Sequence, residues 1–151
     1  MSGTIIRAVP KRFYDFYNGG NGMNSLGEQV QLTVATGIHV SEYREVNLVV
    51  RIHSFNAGNT AAAFQVDAYP EAPTDEDPGA DFASSSSIAS TGQVTFATVS
   101  RAPWVKIVQV FSPTTYFGAF LRLKLTAIQS SGSLSNPFNF AMSIDVNPKS
   151  I

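Results

Sequence analysis

Residues 137–146 read PFNFAMSIDV, and the reading of this stretch decides the fold. Phe138, Phe140, Met142, Ile144 and Val146 fall at every second position, with Asn139, Ser143 and Asp145 between them. Alternation with period two puts successive side chains on opposite faces of an extended chain, so the large apolar residues share one face. A helical turn would scatter the same residues around its axis. The stretch predicts a β-strand lying on a core.

The pattern repeats outward from there. FLRLKLTA, residues 120–127, sets Leu121, Leu123 and Leu125 against Arg122, Lys124 and Thr126. That register makes Leu123 and Phe140 core positions, and Arg122 and Asn139 surface positions. Val46, Leu48, Val50 and Ile52 alternate with Asn47, Val49, Arg51 and His53, while Val30, Leu32 and Val34 form an earlier row. Phe64, Val66 and Ala68 form another, and Val94 and Phe96 are expected to point inward after a Ser-rich segment at 83–92 that is too polar for a core strand. WVKIVQVF, residues 104–111, is nearly continuous in apolar side chains and is expected to be buried on both faces, with Trp104 packed in the core. No window sustains a helical apolar stripe, and Gly, Pro, Ser and Asn separate the strands. The expectation is an all-β protein: an antiparallel β-sandwich of seven or eight strands, jelly-roll-like or immunoglobulin-like.

Residues 1–27 break the pattern. Arg7, Lys11 and Arg12 mix there with Phe13, Tyr14, Phe16 and Tyr17 before the glycine-rich NGGNGMNSLG. The segment reads as an extended N-terminal arm ahead of a single sandwich domain at 28–151, and its aromatic and basic side chains are the expected partner-binding residues, since Tyr, Phe and Arg make strong anchors.

Composition narrows the function classes. The 151 residues carry 44% hydrophobic and 14% charged side chains, with a formal net charge of -1, which fits a folded domain without the basic face of a nucleic-acid binder. The chain has no cysteine, which excludes disulfides, thiolate nucleophiles and iron–sulfur clusters. MSGTIIRAVPKRFYDFY lacks the apolar core of a signal peptide, and no run approaches the roughly 20 apolar residues of a membrane span. His39 and His53 are the two histidines, no G-x-S-x-G turn accompanies them, and surface or structural roles are expected for both. AYPEAPTDEDPGADF, residues 68–82, packs five of the eleven carboxylates among three prolines and a glycine. Its spacing does not match an EF-hand loop, so it reads as a solvated connection without metal. No catalytic residue, cofactor or metal site is expected.

VSEYREVNLVVRIHS, residues 40–54, resembles the opening of small β-sandwich proteins encoded among tailed-phage and prophage structural genes. The resemblance extends through the proline- and aspartate-containing AAAFQVDAYPEAPTDED, the basic-apolar FLRLKLTA and the closing PFNFAMSIDV, over roughly residues 30–147. It implies a non-enzymatic virion component, a capsid decoration or cement subunit. The implied partners are a major capsid protein or other virion subunits, with sister copies in a homo-oligomer, no nucleic acid and no membrane. The implied location is the virion, assembled in the host cytoplasm. The alternative is a carbohydrate-binding sandwich module of a phage fibre or bacterial surface protein.

Overall fold

The structure, a computed structural model, describes residues 5–16, 27–40, 43, 45–57, 61–71, 87–111, 120–129 and 137–149. Among these the alternating stretches become nine strands: β1 (Ile6–Asp15), β2 (Gln29–His39), β3 (Glu45–Ala57), β4 (Ala63–Glu71), β5 (Ala89–Ser90), β6 (Val94–Thr95), β7 (Trp104–Phe111), β8 (Phe120–Ile128) and β9 (Phe138–Lys149). One helical turn, α1 (Phe96–Val99), follows β6; the Thr95 hydroxyl accepts from the Thr98 amide and caps it.

Two antiparallel sheets form, with strand orders β1-β9-β3-β7 and β2-β8-β4-β5, and β6 pairs beside β5 on β4. If β5 and β6 count as one interrupted strand, the first strand pairs the last, the second the second-last, and so on inward to β4 with β5 and β6. The chain is thus a long hairpin wrapped on itself, which is the jelly roll and not the immunoglobulin arrangement. Thr91 bridges the interruption: its amide donates to the Val66 carbonyl and its hydroxyl accepts from the Val66 amide. Ala89 and Ser90, from the Ser-rich segment expected to be too polar for a core strand, thus form part of a sheet edge.

The core lies between the sheets where the alternation placed it. Val46, Leu48, Val50 and Ile52 from β3, Phe64, Val66 and Ala68 from β4, Leu121, Leu123 and Leu125 from β8, and the five apolar residues of β9 are all buried. Phe140 is its aromatic centre, with the rings of Tyr14, Phe16, Phe64, Phe96 and Phe138 around it at centroid distances of 5.8, 5.7, 5.6, 5.4 and 6.1 Å. Trp104 meets the edge of Phe64 at 5.9 Å, in core packing as expected.

Three expectations are corrected. The boundary at residue 27 does not hold, because residues 6–15 of the expected arm are strand β1, paired with β9 from Ile6 opposite Val146 to Asp15 opposite Asn139. Two register shifts in β1, between Arg7 and Val9 and between Val9 and Arg12, break its alternation and hid it from a period-two reading. WVKIVQVF is not buried on both faces: β7 is an edge strand, with Val105 50% and Ile107 66% exposed. Arg122 is not a surface residue; it is wholly buried on the outer side of β8, beside buried Lys124 and Thr126.

Candidate interaction surface

The register fixes what the outer face of the first sheet presents. Residues directly opposite in an antiparallel pair point to the same side, so Arg7, Asp145, Val49 and Ile107 make one row across β1, β9, β3 and β7. Ser143, Arg51 and Val105 make the next row across β9, β3 and β7. Phe13 and Ala141 start another near the far end of β1.

The middle of this face is polar and tightly connected. Asp145 is buried, and its two carboxylate oxygens take the Arg7 guanidinium from one side and Arg51 Nη1, at 2.6 Å, from the other. Charge-assisted bonds of this kind hold β1, β9 and β3 together at one point. His53 sits beside them, its Nε2 2.8 Å from the Ser143 hydroxyl. Desolvation first, then the positive charges of Lys11, Arg51 and Arg7, hold the His53 pKa below its usual value, against a smaller opposing pull from Asp145. The imidazole is therefore neutral at neutral pH.

A serine and a histidine at hydrogen-bond distance invite comparison with an acyl-transfer site, but the chemistry is not assembled. Ser143 is 1% exposed, beneath the long side chains around it. Asp145, the carboxylate that would orient the imidazole, is committed to two guanidinium groups. Among the described residues no cluster of His, Asp or Glu has the makings of a metal site. The network is a clamp between strands.

The edges of the same face are apolar. Ile5, Phe13, Val105 and Ile107 are the exposed large hydrophobic side chains among the described residues, and all lie on or next to the two edge strands of the first sheet. At β7 the backbone edge is guarded: Lys106 points to the core side, opposite Val50, and its Nζ donates to the Thr91 carbonyl at 2.8 Å. At β1, Pro10 and the two register shifts interrupt the ladder. What these edges offer a partner is side chains.

The expected partner-binding residues divide accordingly. Lys11, Arg12 and Phe13 are exposed, with Phe13 at 65%. Arg7 is exposed along its stem while its head group clamps Asp145. Tyr14 and Phe16 are corrected: Phe16 is buried against Phe138 and Phe140, and Tyr14 packs on Phe140, where burial raises its phenol pKa against a smaller lowering by Arg12. Tyr17 lies outside the described residues, as does the acidic stretch beyond Glu71. Sequence reasoning missed Val105 and Ile107 as surface residues, and the signal available was Lys106 between them, which a doubly buried strand would not carry.

The outer face of the second sheet differs. Asp67 accepts from Gln65 Nε2 at 2.9 and 3.1 Å, and Lys124 lies over the Tyr69 ring at 5.1 Å, with Asp67, Tyr69, Arg122 and Lys124 all buried. This face offers no exposed apolar group among the described residues. Comparison with protein-family models, with curated proteins and with solved structures finds no match.

Proposed function

We propose that this protein is a non-enzymatic structural component of a virion, a decoration subunit that docks on a shell of major capsid protein. The observation that carries the reading is the apolar strip of Val49, Val105 and Ile107 along the β7 edge, half to two-thirds exposed at Val105 and Ile107. Contiguous exposed apolar side chains mark interaction surfaces more often than catalytic ones. The jelly roll is a fold of capsid and lectin domains, and the phage-like sequence pattern selects the first of these. A sugar platform is poorly served here, because Trp104 is turned inward onto Phe64.

Covering Val105 and Ile107 contributes roughly 2 to 4 kcal/mol, given about 1.5 to 3 kcal/mol for each fully buried large apolar side chain and their partial burial in the free protein. Replacing both with Asp should therefore weaken docking by roughly 30-fold or more. The test is co-sedimentation with undecorated shells of the phage that carries the gene, alongside circular dichroism of the variant. Undiminished binding by a folded Val105→Asp, Ile107→Asp protein would refute the docking surface, and no binding by the unaltered protein would refute the function.

A further inference from the structure

The centre of the first sheet's outer face carries more positive charge than its carboxylate can balance. Arg7 on β1 and Arg51 on β3 both bind Asp145 of β9, Arg51 through Nη1 at 2.6 Å. A guanidinium has five N–H donors, so Arg51 keeps most of its fork for another acceptor. Its side chain is 40% exposed and that of Arg7 60%, whereas Asp145 and Ser143 lie buried beneath them. Lys11, which is exposed, joins the group from β1. Arg12 is opposite Met142 and points to the core side, and Phe13 is opposite Ala141 on the outer side, so alternation sets Lys11 on the outer side with Phe13.

His53 completes the group. Its Nε2 is 2.8 Å from the Ser143 hydroxyl, which fixes the ring and makes Nδ1 the nitrogen offered to a ligand. The charges that act on the ring are Lys11 and Arg7 from β1, Arg51 from its own strand and Asp145 from β9. Among them Lys11 reaches the ring most strongly. On the other side of β3, β7 places Val105 opposite Arg51 and turns Lys106 to the core side, so it adds no charge here. Three cations against one carboxylate leave a surplus of two positive charges around a neutral imidazole.

From this geometry we infer that Lys11, Arg51 and His53, with Arg7 beside them, form a binding site for a tetrahedral dianion, a phosphate or sulfate group. A dianion matches the surplus in charge, and an arginine fork with a lysine ammonium supplies the donors that an oxyanion takes. Asp145 and Ser143 hold the site in place without touching the ligand, the first through the guanidiniums and the second through the imidazole. Because the arginines are already fixed by Asp145, little side-chain freedom is lost on binding. A neighbouring dianion favours the protonated imidazole, so binding takes up a proton and tightens as pH falls. Phe13 and Val105 stand exposed on either side, where the carrier of an esterified group would lie. The site does not depend on the virion reading.

Sulfate is the probe, because it stays doubly charged over the range in which histidine titrates, about pH 5 to 8. Calorimetric titration of the purified protein, with chloride as the control at equal ionic strength, should give a dissociation constant of about 1 mM or below at about pH 6. Binding at about pH 8 should be at least about threefold weaker, and His53→Gln should remove that dependence. Lys11→Gln should weaken binding at least about fivefold, whereas Arg12→Gln, one residue along and pointing the other way, should change it less than about twofold. The imidazole signal of His53 in proton NMR should titrate at higher pH in sulfate than in chloride, with His39, on β2 of the other sheet, as the internal reference. Phenyl phosphate and inorganic phosphate compared in the same way separate the two sources of the group: tighter binding of the ester assigns the site to an esterified phosphate resting on Phe13 or Val105, and equal binding assigns it to the free anion. Lys11 is exposed, and circular dichroism checks that each variant folds. No saturable sulfate binding, binding indifferent to pH, equal losses in Lys11→Gln and Arg12→Gln, or a His53 signal that responds alike to both salts would overturn the inference.

Discussion

Phe140 is where the two sheets are joined most densely, and its truncation tests the fold directly. It is wholly buried, and five aromatic rings surround it: Tyr14 and Phe16 from β1 and its end, Phe64 from β4, Phe96 from α1 and Phe138 from its own strand. Phe140→Ala removes the shared partner of all five and leaves a cavity that neighbours on several elements cannot close together. Phe→Ala in such a site costs about 3 to 5 kcal/mol, and the ring contacts put this position toward the upper end. For a domain of this size each kcal/mol moves the midpoint by about 2 to 4 °C, so thermal unfolding should fall by roughly 6 to 20 °C. Asn139→Ala, one residue away on the outer side, should stay within about 0.5 kcal/mol. Urea unfolding of both variants, with unchanged slope, gives the comparison in free energy. A loss below about 1 kcal/mol for Phe140→Ala, or an equal loss for Asn139→Ala, would mean that β9 is out of register and that the outer-face rows are wrong with it.

Removal of residues 1–16 should destabilise the sandwich severely or abolish folding, because it strips β1 and the buried Val9 and Phe16 from β9; a truncated protein melting near the parent temperature would show that β1 is dispensable. Arg122→Ala should cost well over 1 kcal/mol, unlike an exposed arginine, since a fully buried side chain is deleted; chemical denaturation reads this. For His53, the folded pKa lies below the unfolded value of about 6.5, so the unfolded chain takes up the proton first on acidification. The stability held by the neutral ring is present above that pH and is lost as pH falls through the folded pKa. His53→Gln, which retains a hydrogen bond to Ser143, should therefore track the parent protein above pH 7 and lose less stability below it; parallel melting curves across the whole range would contradict the assignment.

The strands legible in the sequence are those whose two faces meet different solvents. β3 and β9 each have one face on the core and one face that is polar, so burial imposes period two and the pattern exposes the register. β1 was illegible because its two bulges reset the parity: Ile6 and Val9 point inward three positions apart, as does Tyr14 after a further slip. Its basic and aromatic side chains then resembled a free arm. β7 failed for a different reason. An edge strand with apolar residues on its exposed outer side carries the same composition as a strand buried on both sides, and only the lysine between them separates the two cases.

The site follows the same logic at the level of charge. Arg7 and Asp145 are 138 residues apart and Arg51 and Asp145 are 94 apart, so no local spacing could have paired them. The nested pairing of the jelly roll does so, by laying the first and last strands side by side and β3 on the other flank of β9. One buried carboxylate then balances two guanidiniums. Had Asp145 been matched to a single arginine, the outer face would be neutral at its centre; because it is shared, one positive charge is left over between β1 and β3. Reversing the assignment makes the point: Asp145→Asn would leave Arg7 and Arg51 facing one another across β9 with no countercharge, loosening the strand that also carries Lys11, Arg12 and Phe13. The junction of β1, β9 and β3 and the charge balance at the centre of the outer face thus depend on the same carboxylate.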